Sequence, residues 1–284
     1  MSELLEPFAF AFFRNGFVAA GLAGAVCGLV GCWVVLRGMS AIGHGLSHAV
    51  LAGFALSSIA GISAVVGAGL WGLGSAVAIG RVARRTSRTD SAIAVVTTAS
   101  FALGLILLQA FDAPAGDAEA VLFGNVLGVG PGDVVAAAVV AAAVVATVAL
   151  RYRALLFVAF DPGVAAVSGV RVGRIDALLM ALLTVTVLVS MKVLGVTLVA
   201  AAIVTPAATA RLLTHRATRL AVLAVMAGTA SALAGMIASY HLDVAPGPVI
   251  VLIEGAGFAL AYAWRAVRDR AHRRPVTSSW AAAS

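Results

Sequence analysis

Apolar residues along this chain come in solid blocks. Runs over 16–36, 39–60, 62–80, 91–110, 132–150, 175–193, 194–213, 219–240 and 246–264 are apolar around every side of a helix, where a helix at a water-facing surface keeps a polar face. About twenty residues, each rising about 1.5 Å, match a hydrocarbon core about 30 Å thick. The pattern predicts an all-α, polytopic membrane protein with nine spanning helices. Gly38, Gly43, Gly45 and Gly53 crowd the second run, and glycine is about 1 kcal/mol worse than alanine inside a helix. If that run is broken or re-entrant, the count falls to eight.

The polar residues between the blocks set an orientation. Arg81, Arg84, Arg85 and Arg88 form one basic connection, Arg151, Arg153, Arg171 and Arg174 a second, Arg211, Arg216 and Arg219 a third, and the tail from Arg265 to Arg274 a fourth. Basic connections face the cytoplasm. The stretches 111–132, with Asp112, Asp117 and Glu119, and 240–248, with His241 and Asp243, carry no basic residue and read as extracytoplasmic. Nine spans leave the N-terminus outside, and eight return it to the cytoplasm. Residues 1–264 then form one membrane domain with a cytoplasmic excursion at 151–174. Residues 265–284 form a basic, partly disordered tail placed to meet anionic lipid.

Composition narrows the class. The chain is 62% hydrophobic and 11% charged, with a formal charge of +7; because the arginines are confined to connections, that charge marks cytoplasmic loops and excludes nucleic acid as a partner. Glu3 and Glu6 stand where a secretory signal would be positive, so no cleaved signal is expected. Cys27 and Cys32 share one run, point about 140° apart on a helix, and read as packing residues. The single lysine, Lys192, lies in S-M-K-V-L-G, whereas a phosphate-binding loop requires G-x-x-x-x-G-K-[ST]. This chain therefore carries no such ATP site and is not itself an enzyme.

Candidate chemistry centres on L-R-G-M-S-A-I-G-H-G-L-S-H-A-V-L-A-G, residues 36–53. His44 and His48 fall four apart, on one face of a helix, at a depth where a titratable group is costly and by default functional. Neutral imidazole is the commonest metal ligand, so the pair is a candidate metal step; the competing reading is two satisfied interface histidines. His241 and Asp243 are weaker ligand candidates. Glu254, inside the last run, either ligates metal or forms an intramembrane ion pair with Lys192. In the excursion, Asp161-Pro162 is a helix start, with Asp as N-cap and Pro at the first helical position. Small residues up to Gly169 make that short helix a docking surface. Pro206 interrupts an apolar run and frees a carbonyl that Thr205 and Thr209 can help satisfy.

Four stretches, L-R-G-M-S-A-I-G-H-G-L-S-H-A-V-L-A-G, V-L-F-G-N-V-L-G-V, L-L-F-V-A-F-D-P-G-V-A-A-V-S-G-V and K-V-L-G-V-T-L-V-A-A-A-I-V-T-P-A-A-T-A-R-L-L, together resemble, in order, the permease subunits of zinc and manganese ABC importers. The resemblance runs over about 16–264. It implies a type II importer in a bacterial cell membrane: two permease copies around a central pathway, two cytoplasmic ATPase subunits that bind ATP and Mg2+, and an extracytoplasmic solute-binding protein. It also implies ATPase coupling through Asp161, Pro162 and Gly169, no cofactor in this chain, and a metal ion as cargo. The family's commonest pattern is G-D-A-x-S-H-A, with Asp where this chain has His44. Imidazole in place of carboxylate favours zinc, with manganese next. The alternative from another class, an ion-coupled secondary transporter, would be expected to show inverted repeats, and no convincing internal repeat is found.

Overall fold

The computed structural model describes residues 6–86, 89–111 and 122–272, with 40–44, 64–65, 83–86, 89–92 and 270–272 described by backbone alone. Its helices are α1 (Ala11–Leu36), α2 (Ser40–Ala60), α3 (Ala64–Thr86), α4 (Thr89–Ala110), α5 (Pro131–Phe160), α6 (Pro162–Val167), α7 (Val172–Leu194), α8 (Val196–Leu213), α9 (Ala217–Leu242) and α10 (Pro246–His272). Among the described residues, seven helices are long and apolar enough to cross a membrane, while α2 and α3 contribute the shorter apolar stretches Gly45–Ala60 and Val66–Val82. Val95, Leu150, Leu252 and Leu260 point outward and are more than two-thirds exposed. An apolar exterior of this kind fits lipid, not water.

Helix α2 runs unbroken from Ser40 to Ala60, so its glycines do not interrupt it. They serve close approach instead. A Cβ at Gly45 would lie 2.5 Å from Thr97 Cγ2 on α4, and one at Gly53 would lie 2.4 Å from the Gly67 carbonyl oxygen on α3. The helix ends at Gly61, in the left-handed region at φ 65°, where glycine has no Cβ penalty.

Helix α1 is the hub, packed by α9, α8, α5 and α7. Gly24 faces Gly228 and Gly28 faces Ala224 so closely that a Cβ would sit 2.4 and 2.3 Å from the opposing carbonyl oxygens. Small residues repeating every four positions let the two backbones meet. Cys27 and Cys32 are buried and free. Cys27 Sγ shares a 3.2 Å hydrogen bond with Ser190 Oγ, and Cys32 Sγ donates to the Gly28 carbonyl at 3.2 Å.

The bundle has two unlike poles. At the arginine-rich pole, Arg37 bonds α5 and α7, Arg265 Nη1 donates to the Leu212 carbonyl, and Tyr152 and Thr218 hydroxyls meet at 2.9 Å. At the other, Gly124, Gly195 and Gly247 bring three chain segments into backbone contact, and Thr197 Oγ1 donates to the Leu122 carbonyl at 2.6 Å. Pro206 remains inside α8, and Thr209 Oγ1 donates to the Thr205 carbonyl. The carbonyl that Pro206 frees belongs to Ala202, four residues back, so the hydroxyl acts one turn away from the place expected.

Replacing Gly24 by leucine drives a side chain into the α9 backbone. Overpacking costs typically about 1–3 kcal/mol and occasionally more. Gly24→Leu is expected to lower the melting temperature in detergent well below that of Gly257→Leu, whose side chain enters open space; equal melting temperatures would refute the α1–α9 seam.

Candidate functional site

His44 and His48 both lie on α2, about 6 and 12 Å along it from Ser40 at 1.5 Å per residue. The His44 side chain lies outside the described part of the structure. His48 is half-buried, and its ring meets Phe101 of α4 edge-on, with centroids 4.8 Å apart. The close α2–α4 approach at Gly45 and Thr97 is what holds the imidazole against that ring. One turn further along, a cavity of about 560 Å³ opens between α2, α3 and α4, lined by Gly53, Ser57, Trp71, Ser75 and Ser100 among others. His48 thus belongs to a helix pressed between two neighbours, and it is not among the residues lining that cavity.

The other proposed ligands do not join it. His241 and Asp243 sit exposed at the α9–α10 turn, where Asp243 takes a left-handed φ of 52° as the C-cap. Among the described residues, no three His, Cys, Asp or Glu side chains converge on a common point. Of the two roles left open for Glu254, pairing with Lys192 is not what the structure shows. Lys192 Nζ bonds Asp133 Oδ1 at 2.5 Å, because Asp133 is fixed in the first turn of α5 by accepting from the Gly130 N–H at 3.0 Å. The lysine side chain is 44% exposed, whereas Glu254 is 3% exposed and its Oε2 has no hydrogen-bond partner. The two groups face opposite environments. Asp133 was the partner missed by the sequence reading, although Pro131 and Asp133 together form a legible helix start.

The excursion is built as its motif predicts. Asp161 Oδ1 accepts from the Val164 N–H at 2.9 Å, capping α6. Gly169, at φ 84°, closes it: the Gly169 N–H bonds the Ala166 carbonyl and the Val170 N–H bonds the Ala165 carbonyl, the paired pattern of a left-handed glycine cap. Val164 and Val167 stand 48% and 86% exposed. A capped helix of fixed shape therefore carries apolar tips at the arginine-rich pole. Next to it lies a cavity of about 730 Å³, bordered by Arg37, Arg81, Pro162, Asp176 and apolar residues of α3 and α7. The salt bridge between Arg37 and Asp176 that closes its wall was not foreseen, since nothing in sequence spacing relates residues so far apart.

Comparison with known proteins places this geometry. The ABC 3 transport family model matches residues 9–265. A relative from Halalkalibacterium halodurans, "Manganese transport system membrane protein MntC", is 39% identical over 254 residues, covering 89% of this chain and 87% of its own. One from Haemophilus influenzae, "Probable iron transport system membrane protein", is 34% identical over 268 residues, covering 94% and 98%. Among solved structures, PsaBC from Streptococcus pneumoniae in complex with Fab is similar at a TM-score of 0.85 and 33% identity, covering 92% of this chain and 95% of that one. The chain belongs to the ABC 3 transport family, as a multi-pass bacterial membrane protein that forms the permease of a metal ABC importer.

Proposed function

We propose that this permease imports manganese as the divalent ion, working as a pair of copies with two ATPase subunits on the arginine-rich side and a metal-delivering binding protein on the other. In this reading eight or nine helices span the membrane, and α6 docks the ATPase through Asp161, Pro162 and Gly169. The observation that carries it is His48, an imidazole held partway along α2 against Phe101 of α4. Its helix shares one chain with an exposed, rigidly capped docking helix. The zinc preference drawn from His44 gains no support from relatives named for manganese and iron, so manganese is placed first and zinc is its competitor. Family membership displaces the secondary-transporter alternative.

Two imidazoles per copy suit passage better than storage. A transport site must release its ion, and a closed four-ligand cage of the structural kind would hold it. Exposed Asp243 and His241 stand at the outer pole, where an arriving cation first meets the permease. ATP binding and hydrolysis in the partner subunits move α6 and alternate access to the His44/His48 level.

The test is uptake of radiolabelled manganese, zinc and iron by the complete complex in proteoliposomes. Manganese is expected to be the best cargo; zinc uptake with no manganese uptake would overturn that assignment. His48→Ala is expected to lower uptake by about tenfold or more, the loss of about 1.4 kcal/mol of ion stabilisation, with melting temperature little changed. His44→Asp should retain transport and shift preference further toward manganese, because carboxylate oxygen suits the harder ion. Wild-type uptake by His48→Ala would show the histidine to be structural.

Docking has its own measurement. Val167 is nearly fully exposed, so Val167→Asp leaves the permease fold intact while placing a charge on an apolar contact. Co-purification with the ATPase is expected to be lost, and normal recovery of the complex would remove α6 from the interface.

A further inference from the structure

We infer that Arg37 is a positioning residue that ties the docking loop to the histidine helix. Its backbone ends α1, and α2 begins three residues later at Ser40. The joint between them is short and stiff. Gly38 takes φ 65°, its N–H bonds the Val35 carbonyl, and the Met39 N–H bonds the Val34 carbonyl at 2.9 Å. A shift of Arg37 therefore reaches the first turn of α2 with little slack.

The Arg37 guanidinium holds both ends of the excursion. Nη1 donates to the Val158 carbonyl at 2.7 Å, just before α6, while Nη2 pairs with Asp176 Oδ1, just after it. The first bond follows from the docking motif itself. In a helix, the Val158 carbonyl would accept from the N–H of residue 162, but residue 162 is proline and has none. Asp161-Pro162 thus starts the docking helix and also leaves an acceptor that Arg37 fills. The Arg37 side chain is only 15% exposed and Asp176 39%, so the arginine end of the pair is the buried one, and loss of its carboxylate leaves that charge uncompensated. The loop, the end of α5 and the start of α7 are consequently pinned to one side chain. The cavity of about 730 Å³ on which Arg37, Met39, Pro162 and Asp176 all border gives this unit room to move against α3. Displacement of α6 by the ATPase is carried through Val158 and Asp176 to Arg37, and through the rigid Gly38 turn to the helix bearing His44 and His48.

The inference rests on the docking and metal-step roles proposed above. Its test is the ratio of manganese ions moved to ATP hydrolysed, measured on the full permease–ATPase complex in proteoliposomes. Arg37→Ala is expected to cut that ratio by about tenfold, within the usual range of coupling between distant sites, while complex recovery and ATP hydrolysis stay near wild type. Arg37→Lys, which retains the charge opposite Asp176, should recover much of the ratio. A merely structural arginine would lower transport and hydrolysis together, in step with the amount of complex. An unchanged ratio in Arg37→Ala, or a parallel fall in both activities, overturns the inference. If Arg37→Ala does not assemble, Asp176→Asn decides, because that side chain is 39% exposed and the change is nearly isosteric; a wild-type ratio there also overturns it. Wild-type complex that hydrolyses ATP without moving manganese would instead sink the functional reading beneath it.

Discussion

Backbone-to-backbone approach along α1 is the constraint from which the rest of the architecture follows. Lipid is as apolar as leucine, so apolar side chains alone give helices no reason to leave it for one another. Packing must come from fit. At Gly24, Gly28 and Gly31 there is no space for even a single carbon against Gly228, Ala224 and Ile203, and these seams place α1 among α9, α8, α5 and α7. A central α1 fixes Arg37 at one pole and Phe13, packed against Tyr240, near the other. The same device recurs around α2, where Gly45, Gly53 and Gly104 bring α3 and α4 against it. His48 faces Phe101 because those backbones are close, and a larger residue at Gly45 would push the whole of α4 away.

Polar groups inside such a bundle follow a second constraint, a partner where water does not reach, to which buried Glu254 Oε2 is an exception. Thr97, Thr184 and Thr186 return their hydroxyls to carbonyls one turn back on their own helices. Lys192, Asp133 and the Gly130 N–H form one linked group at the pole opposite the arginines. Arg37, Asp176 and the Val158 carbonyl form another at the basic pole. Both groups join helices distant in sequence, and both lie near helix ends, where backbone carbonyls and N–H groups lack helical partners.

What the sequence revealed and what it hid divide along that line. Blocks of apolar residues and the Asp161-Pro162 start are local signals: the blocks fall on helices, seven of which among the described residues are long and apolar enough to cross a membrane, and Asp161 caps α6. The unbroken α2 decides between two readings that the sequence leaves open. Glycine's low helix propensity suggested a break, but Gly45 and Gly53 are glycines because other helices need the room, and propensity yields to packing. The Lys192–Glu254 pairing failed for a related reason. Two opposite charges in a mostly apolar sequence look like natural partners, yet pairing depends on helix rotation, and rotation is set by seams such as Gly24–Gly228 that involve neither residue. Ligand convergence was equally beyond reach, because His48 and Asp243 lie on elements whose relative placement only the fold decides.

The proline at the docking helix shows how one local signal does two jobs. Read along the chain, Pro162 stops α5 and starts α6, with Asp161 as the cap. Read in three dimensions, the missing N–H at 162 leaves the Val158 carbonyl open to a side chain from the end of α1. A helix boundary therefore creates a tertiary contact, which joins the segment before α6 to the end of α1. The motif's spacing sets where α6 begins, while the bond the motif leaves unmade ties the end of α5 to the end of α1, three residues before α2 starts.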